Sequence, residues 1–349
     1  MRGVVRSGRE SVDVVDVPRP TLEEGTAIVR VLASGICGSD LHGYRENDSR
    51  EQRPAGHEVS GEVVEVAPRP GEESLVQVGD LVAIDTICLG RACGSCEWCQ
   101  EGAPFHCQEK RSGADWSGAF AEYIKRDVRG LFRLPPSMSA EEGALVEPLA
   151  VAVHALRLAD LQPGELVAVI GAGTIGLSVL VAAVAMDAGP VYVLARHPHQ
   201  VALAKDLGAA GVFDGSPDEA KEAIKAGTGG RGVDVVVETV GGTAPTLDQA
   251  WDLVRRRGRV AVLGLFTEPA AEDLGRPLGR EVTVHFPVCY GRIGGRHDYE
   301  VAIEMIASGR APIGRLLTHR YSLDEAPEAF AVANDKSSKS VKVQLISGT

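Results

Sequence analysis

The sequence predicts an α/β protein with two domains, one β-rich and the other built on a doubly wound parallel sheet. The chain has 349 residues, which is more than one ordinary hydrophobic core accommodates. Before about residue 160 the apolar segments are short and strand-like, and after it apolar strands alternate with helical segments. Such alternation is typical of a parallel sheet covered by helices on both faces.

The β-rich domain is expected to span residues 1–153. Strands are predicted over 27–36 ("AIVRVLASGI"), 57–67 ("HEVSGEVVEVA") and 76–84 ("VQVGDLVAI"), which alternate or run apolar between glycines and prolines. The stretches between these strands predict long loops.

Residues 154–290 are expected to form the parallel-sheet domain. It opens with "ELVAVIGAGTIGLSVLVAAVAMDAG" (165–189), in which a buried strand leads through glycines into a helix. Further apolar strands are predicted in "VYVLA" (191–195), "GVDVVVETVG" (232–241) and "RVAVLGL" (259–265). A helix in "YEVAIEMIASG" and strand-like endings then indicate that residues 291–349 return to the first domain.

Composition and charge argue against two classes of partner. The formal net charge is −12, from 48 acidic and 36 basic residues, and no run of Lys and Arg is long enough to follow a phosphate backbone. Nucleic acid is therefore not expected as a partner. The longest apolar stretch, "LSVLVAAVAM" (177–186), is shorter than the ~20 residues of a membrane span, and the sequence begins without the apolar segment of a secretion signal. We expect a cytoplasmic protein that does not contact a membrane.

Four of the seven cysteines lie close together in "CGSCEWCQEGAPFHC": Cys93, Cys96, Cys99 and Cys107. Without a secretion signal, such clustering indicates metal binding rather than disulfides. Four thiolates can close a tetrahedron around Zn²⁺ and leave no open position, so we expect a structural zinc. An iron–sulfur centre is the alternative, because four thiolates also suit iron.

A second set of metal-binding residues is spread along the chain. Cys37 lies in "GICGSDLH", His57 and Glu58 in "GHE", and Glu147 in "ALVEPLAVAVHA". A thiolate, an imidazole and one or two carboxylates bind zinc while leaving a position free for water or substrate. These four residues therefore predict a catalytic zinc site.

The order of these motifs resembles that of the zinc-dependent medium-chain dehydrogenase family over essentially the whole chain. The motifs are "GICGSDLH", "GHEVSGEVVEV", the four-cysteine loop, "SGAFAEY", "EPLAVAVHA", "GAGTIG" and "KSVKVQL". The resemblance implies a GroES-like catalytic domain and a Rossmann domain. Glu147 stands where the alcohol dehydrogenase branch has a second cysteine, which is similar to the sorbitol, polyol and threonine dehydrogenase branch. That branch leaves open whether Glu58 or Glu147 binds the metal.

The resemblance also implies roles for three residues near Cys37. Zinc would polarise the alcohol oxygen so that hydride can leave the carbon. Ser39 would take up the alcohol proton, and His42 would pass it toward solvent, because a hydroxyl followed by an imidazole suits such a relay. Asp40 would orient a metal ligand, with His57 the expected one.

The segment "GAGTIG" fits the dinucleotide-binding pattern G-x-G-x-x-G with Gly171, Gly173 and Gly176. It follows an apolar strand and opens an apolar helix, which is the context that this pattern requires. We expect the pyrophosphate at this helix N-terminus, beside Thr174 and Ile175. Gly264 and Leu265, at the end of "RVAVLGL", complete the expected cofactor site.

The end of the following strand bears on the choice of cofactor. NAD enzymes hold an acidic residue about 20 residues beyond the glycines. Here Ala195 lies nineteen residues after Gly176 and is followed by Arg196, which offers a planar cation for a 2′-phosphate. The sequence therefore favours NADP over NAD, although Arg196 could also be a solvated surface residue.

Together these motifs predict an NAD(P)-dependent zinc enzyme that interconverts a secondary alcohol and a ketone, the alcohol being a polyol, sugar or related small molecule. Oxidation of L-threonine or an amino alcohol is one alternative, because "GRIGGRHDYEVAI" resembles a Gly-Arg stretch of threonine dehydrogenases that would put Arg296 and His297 near the substrate or cofactor. A catalytically silent dinucleotide-binding sensor is the other. Trp116 could line the substrate cleft or cover a hinge. The resemblance implies a homodimer or homotetramer.

Overall fold

The computed structural model describes residues 1–46, 53–71, 73–214, 217–268 and 273–347. Contacts divide the chain into two compact units. The first unit comprises Met1–Glu147, Cys289–Ala307 and Ile313–Thr349, and the second comprises Pro148–Val288 and Ser308–Pro312. Both ends of the chain therefore belong to the first unit.

The strands are numbered in chain order. They are β1 (Arg2–Gly8), β2 (Ser11–Asp16), β3 (Thr26–Gly35), β4 (Glu58–Ala67), β5 (Leu81–Asp85), β6 (Tyr123–Asp127), β7 (Leu131–Arg133), β8 (Val167–Ile170), β9 (Val191–Leu194), β10 (Gly211–Phe213), β11 (Val233–Glu238), β12 (Val254–Val262), β13 (Thr283–His285), β14 (Arg292–Ile293), β15 (Arg296–His297), β16 (Leu317–Tyr321) and β17 (Lys342–Ile346).

The α-helices are α1 (Gly38–Arg45), α2 (Glu97–Gln100), α3 (Ala140–Ala144), α4 (Val146–Leu158), α5 (Thr174–Ala185), α6 (Pro198–Asp206), α7 (Pro217–Gly227), α8 (Thr246–Leu253), α9 (Gly275–Leu278), α10 (Asp298–Ala307) and α11 (Ala326–Asn334). Short 3₁₀ helices cover Pro104–His106, Ala114–Trp116, Val128–Gly130, Ile313–Leu316, Leu323–Glu325 and Lys336–Ser338. Within the described residues, no helix combines the length and apolar character needed to cross a membrane.

The first unit is built on a sheet with the strand order β16-β17-β3-β4-β5-β7, in which β6 also pairs with β3. The inward side chains of β3 and β4, among them Val29, Val31 and Val63, form a buried apolar core with Val82 and Ile84 of β5. Their period-2 spacing follows from the alternation of side chains along a strand. The β-rich domain predicted from the sequence is confirmed.

The second unit holds a six-stranded parallel sheet with the order β10-β9-β8-β11-β12-β13. Every residue of β8 and β11 is buried, as expected for strands covered on both faces. Strand order reverses between β8 and β11, and the crevice beyond the carboxyl ends of such strands is where doubly wound sheets bind ligands. The predicted Rossmann sheet is confirmed.

Two strands begin five residues away from the position predicted from the sequence. The strand expected from residue 76 begins only at Leu81, because Gly79 has a φ of +92° and the Asp80 carboxylate accepts the backbone N–H of Gln77 at 2.8 Å. A turn with these features replaces the first part of the predicted strand. Strand β12 begins at Val254 rather than at residue 259, and its last residues belong to the predicted apolar segment.

Candidate active site

The sheet of the first unit brings the candidate catalytic metal ligands together. Gly35, the last residue of β3, pairs with Glu58, the first residue of β4, and also with Gln344 of β17. Cys37 follows β3 by two residues, and His57 precedes β4. One ligand atom each of Cys37, His57 and Glu58 lies within 4.8 Å of the others. This set of thiolate, imidazole and carboxylate fits zinc with an open coordination position.

Glu58 already has a cationic partner, Lys342 at the start of β17. The Lys342 Nζ donates to both carboxylate oxygens of Glu58, at 2.7 and 2.6 Å, and to the carbonyl of Ile36 at 2.9 Å. Both side chains of the pair are only 1% exposed. Burial alone would lower the pKa of Lys342, but the charges of Glu58 and Cys37 outweigh burial and raise it. Lys342 was not among the predicted site residues, and its signal in the sequence is a charge inside the apolar ending "KSVKVQL".

The Glu58 carboxylate also needs the glycine at position 35. A Cβ added to Gly35 would lie 2.1 Å from the Glu58 Oε2, a separation that real Cβ atoms essentially never show. Gly35 is therefore required for close packing of backbone against carboxylate, not for an unusual backbone conformation.

The environment of His57 is negatively charged. Burial alone would lower the pKa of His57, but the nearby Cys37 and Asp40 outweigh burial and raise it well above the ordinary value. Asp40 lies in the first turn of α1, where its Oδ2 accepts the backbone N–H of Cys37 at 2.9 Å. Its Oδ1 is 3.9 Å from the His57 Nδ1, which is beyond hydrogen-bond distance. Orientation of His57 by Asp40 therefore stays a prediction.

Glu147 lies in the first turn of α4 and is 4% exposed. Burial raises its pKa to about 8, the charge of His57 acts in the opposite direction, and that of Glu58 adds to the rise. Glu147 is thus a neighbour of the candidate ligands, although the described set within 4.8 Å does not include it. A bound cation would relieve the cost of ionising this buried carboxylate.

The two residues expected to relay protons lie on the same short helix. Ser39 and His42 are both exposed on α1, which begins directly after Cys37. An exposed imidazole one turn from a hydroxyl can exchange a proton with solvent.

The four clustered cysteines converge as their spacing predicts. The sulfur atoms are 3.5 Å apart between Cys96 and Cys99, 3.6 Å between Cys93 and Cys107, and 4.0 Å between Cys93 and Cys99. A tetrahedron with Zn–S bonds of about 2.3 Å has edges of about 3.8 Å. The backbone N–H groups of Ser95 and Cys96 lower the pKa of Cys93 to about 6, which favours the thiolate that a metal needs. The donor set fits one zinc ion.

The glycine-rich loop of the second unit has the geometry that dinucleotide binding requires. Gly171 follows β8 with a φ of +100°, and a Cβ on Gly176 would lie 2.0 Å from the Gly171 carbonyl oxygen. A Cβ on Gly173 would meet nothing within 4 Å, so the space before the first turn of α5, formed by Thr174 and Ile175, is open. An open space at the N-terminus of a twelve-residue helix suits a pyrophosphate.

The remaining cofactor candidates lie at the ends of two other strands. Ala195 is buried directly after β9, and Arg196 beside it is exposed. After β12, a Cβ on Gly264 would lie 2.3 Å from the backbone nitrogen of Gly241, whereas Leu265 is 64% exposed. Strand β9 lies next to β8, and β12 lies next to β11. Arg196 and Leu265 therefore follow the carboxyl ends of strands beside the point where strand order reverses, which is where doubly wound sheets bind ligands.

The structure also locates the more speculative substrate residues. Trp116 is 6% exposed and lines the same cavity as His57. Arg296 forms an exposed ion pair with Glu304 at 2.5 Å, and His297 is buried with its Nε2 at 3.9 Å from Asp85. Trp116 is therefore better placed beside the metal ligands than Arg296, which has a carboxylate partner of its own.

Comparison with known proteins agrees with this geometry. Residues 23–136 match the model of the alcohol dehydrogenase GroES-like domain, and residues 174–308 match that of the zinc-binding dehydrogenase. A sorbitol dehydrogenase of Bacillus subtilis (strain 168) is 33% identical, with 99% of this chain and 97% of the relative covered. An L-threonine 3-dehydrogenase of Pyrococcus horikoshii is 36% identical, with 93% and 91% covered.

A solved structure is similar over nearly the whole chain. It is a Sinorhizobium meliloti 1021 protein, classed as a zinc-binding dehydrogenase and bound to NADP. The TM-score is 0.83 and the sequence identity is 30%, and the similarity covers 99% of this chain and 98% of that one. The convergent metal-binding side chains, the Rossmann sheet and these similarities lead to one conclusion. This chain is an enzyme that belongs to the zinc-dependent medium-chain dehydrogenase family, in the branch of the polyol and threonine dehydrogenases.

Proposed function

We propose that this enzyme transfers hydride between a secondary alcohol and NADP, the alcohol being a polyol, a sugar or a related hydroxylated small molecule. The observation that carries the proposal is the convergence of Cys37, His57 and Glu58 in the first unit. The second unit has a glycine-rich loop with open space at Gly173, as dinucleotide binding requires. When bound, zinc would supply a Lewis acid and the nicotinamide a hydride acceptor.

We assign Cys37, His57 and Glu147 as the residues that hold the catalytic zinc. Both oxygens of Glu58 accept hydrogen bonds from Lys342, so Glu58 would have to give up a buried cation to bind a metal. Glu147 has a raised pKa because it is buried, and binding a cation would offset that cost. Lys342 thus occupies both oxygens of Glu58, although Glu58 lies close to Cys37 and His57, and this favours Glu147 as the carboxylate ligand.

The substrate proton would leave by way of α1. The Ser39 hydroxyl would accept it while giving its own proton to the exposed imidazole of His42, and that imidazole would release a proton to water. Cys93, Cys96, Cys99 and Cys107 would hold the second zinc, which has a structural role because four thiolates leave no open position.

The preference for NADP depends on the end of β9. Ala195 places a methyl group where an acidic side chain would repel a 2′-phosphate, and the exposed Arg196 offers a planar guanidinium for it. The related Sinorhizobium meliloti protein was solved with NADP, which supports this choice.

A kinetic panel tests the proposal. The zinc-loaded enzyme is assayed with NAD and with NADP on sorbitol, other polyols, a simple secondary alcohol and L-threonine. We expect polyol oxidation with an NADP preference that falls at least tenfold in Arg196→Ala, as the loss of a charge-assisted contact predicts. A preference for NAD would contradict the cofactor assignment, and faster oxidation of L-threonine, the substrate named for one relative, would contradict the polyol assignment.

We also propose that the enzyme is a homo-oligomer that associates through the edge of the Rossmann sheet. Leu274, Leu278 and Phe286 flank the edge strand β13 and are 67%, 81% and 74% exposed. Large apolar side chains clustered at a sheet edge mark an association surface. Size-exclusion chromatography with light scattering should give a dimer or tetramer, and Leu278→Asp should lower that mass; a monomeric wild-type enzyme would contradict the proposal.

A further inference from the structure

One cavity of the first unit carries more positive charge than a neutral alcohol requires. Its volume is about 190 Å³, and its wall includes His57, Trp116 and Ser117. Three arginines, Arg53, Arg91 and Arg126, line it as well. Because His57 is assigned above to the catalytic metal, the inference drawn from this cavity rests on the proposed function.

Arg126 is buried in the cavity wall, and two of its three guanidinium nitrogens donate to backbone carbonyls. Its side chain is 1% exposed, Nη1 donates to the carbonyl of Lys125 at 2.6 Å, and Nη2 donates to the carbonyl of Ser117 at 2.8 Å. Within the described part of the chain, Nε has no hydrogen-bond partner. Burial lowers the pKa of Arg126 to about 9, and the charge of Arg91 acts in the same direction. A buried cation with a free N–H is costly unless an acceptor occupies the cavity.

Arg91 and Arg53 add charge of the same sign. Arg91 is half-buried, and its Nε donates to the carbonyl of Arg111 at 2.7 Å. Burial lowers the pKa of Arg91, and the nearby charge of Arg53 lowers it further. The guanidinium group of Arg91 is therefore repelled by those of both Arg53 and Arg126.

No acidic side chain in the described ranges forms an ion pair with any of these three arginines. Asp85 is the carboxylate whose charge acts on Arg126, but its oxygens accept the backbone N–H groups of Ile87, Cys88 and Leu89. The contrast is Arg129, two residues after the end of β6, whose Nε is 2.8 Å from the Asp127 carboxylate. Arg129 thus has an acidic partner, whereas none is found for the three cavity arginines among the residues that the structure describes.

We propose that this cavity binds an oxyanion carried by the alcohol substrate, either a phosphate monoester or a carboxylate. Planar guanidinium groups hold such oxygens by paired hydrogen bonds, and the partly desolvated site strengthens each bond. The volume is below the ~300 Å³ of a typical ligand pocket, so the cavity takes one end of the substrate and not all of it. His57 in the same wall places that end beside the metal ligands.

The experiment compares matched substrates on the zinc-loaded full-length enzyme: sorbitol, sorbitol 6-phosphate and gluconate. We expect an anionic member to have a kcat/KM at least tenfold above that of sorbitol, and the better of the two identifies the oxyanion. Arg91→Gln should reduce that ratio at least tenfold, while Arg19→Gln, an exposed arginine of the same unit paired with Glu65, should leave it unchanged. A ratio near one in the wild-type enzyme, or a ratio unaffected by Arg91→Gln, would overturn the proposal.

Binding of inorganic phosphate, measured by calorimetry without cofactor, separates this inference from the proposed function. Arg91→Gln should weaken phosphate binding at least tenfold, and Arg196→Ala, at the other phosphate site, should not. If phosphate binds in this manner but no alcohol is oxidised, the proposed function is wrong and the anion site remains. Arg126→Met, which removes the buried cation, should weaken phosphate binding as well, and if that variant fails to fold, the half-buried Arg91 still provides the test.

Discussion

The buried pair of Glu58 and Lys342 gives the sharpest prediction about stability. Lys342→Met removes the cation and keeps most of the volume, so Glu58 is left beside Cys37 and Glu147 with neither carboxylate oxygen bonded to Lys342. Each hydrogen bond to a charged group contributes about 1.5–3 kcal/mol, and removing one member of a buried pair costs about 3–5 kcal/mol. We expect a loss of that size in the free energy of unfolding, measured in urea on the zinc-free enzyme.

A surface pair of the same unit serves as the matched control. Arg30 and Glu62 are paired across β3 and β4 at 2.5 Å, but their side chains are 38% and 36% exposed, so Arg30→Met should cost no more than about 1 kcal/mol. The double variant Glu58→Gln with Lys342→Met should recover part of the loss, because it leaves no uncompensated charge. If Lys342→Met costs no more than Arg30→Met, the reasoning about the buried pair is wrong.

Three further predictions concern the metals and a buried carboxylate. Glu147→Gln should weaken zinc binding at least tenfold, and more than Glu58→Gln does, because the Glu58 carboxylate is already bonded to Lys342. Competition with a chromophoric chelator measures the zinc affinity of both variants. A larger loss of affinity in Glu58→Gln would count against Glu147 as the ligand. Cys99→Ser should lower the zinc content from two ions per chain to one and reduce the thermal stability of the first unit. Elemental analysis measures the zinc content, and two ions retained by the variant would argue against the four-thiolate site. Burial raises the pKa of Asp85 to about 6, against an ordinary 3.8, so between about pH 4 and pH 6 the folded state binds more protons than the unfolded one. The free energy of unfolding should therefore fall by up to about 3 kcal/mol as pH rises through this window. Asp85→Asn should lack this dependence on pH. Equal pH dependence of the unfolding free energy in the zinc-free wild type and variant would refute the prediction.

Local motifs were predictable because their geometry lies within a single turn or loop. Gly171, Gly173 and Gly176 fall between an apolar strand and an apolar helix, and the backbone there can follow only a few paths. Cys93, Cys96 and Cys99 are three residues apart, so a short loop brings their sulfur atoms together whatever the rest of the chain does. The same locality explains why the parallel sheet could be predicted from alternating apolar strands and helices.

Features that depend on distant segments were less predictable. Nothing near Lys342 in the sequence indicates that Glu58, 284 residues earlier, is its partner. The pairing of β3 with both β4 and β17 decides that contact, and a register shift of one residue would place the lysine on the opposite face. For the same reason the sequence left the choice between Glu58 and Glu147 open, and Lys342 provides the physical argument for Glu147.

The sequence by itself therefore determined the family resemblance, the two kinds of domain, the cysteine cluster and the dinucleotide loop, because each depends on composition or short-range spacing. Only the tertiary structure decided that Glu58 is neutralised by Lys342 and that Arg53, Arg91 and Arg126 line one cavity. These groups come from segments far apart in the chain, and burial with uncompensated charge arises only when packing brings them together and removes water.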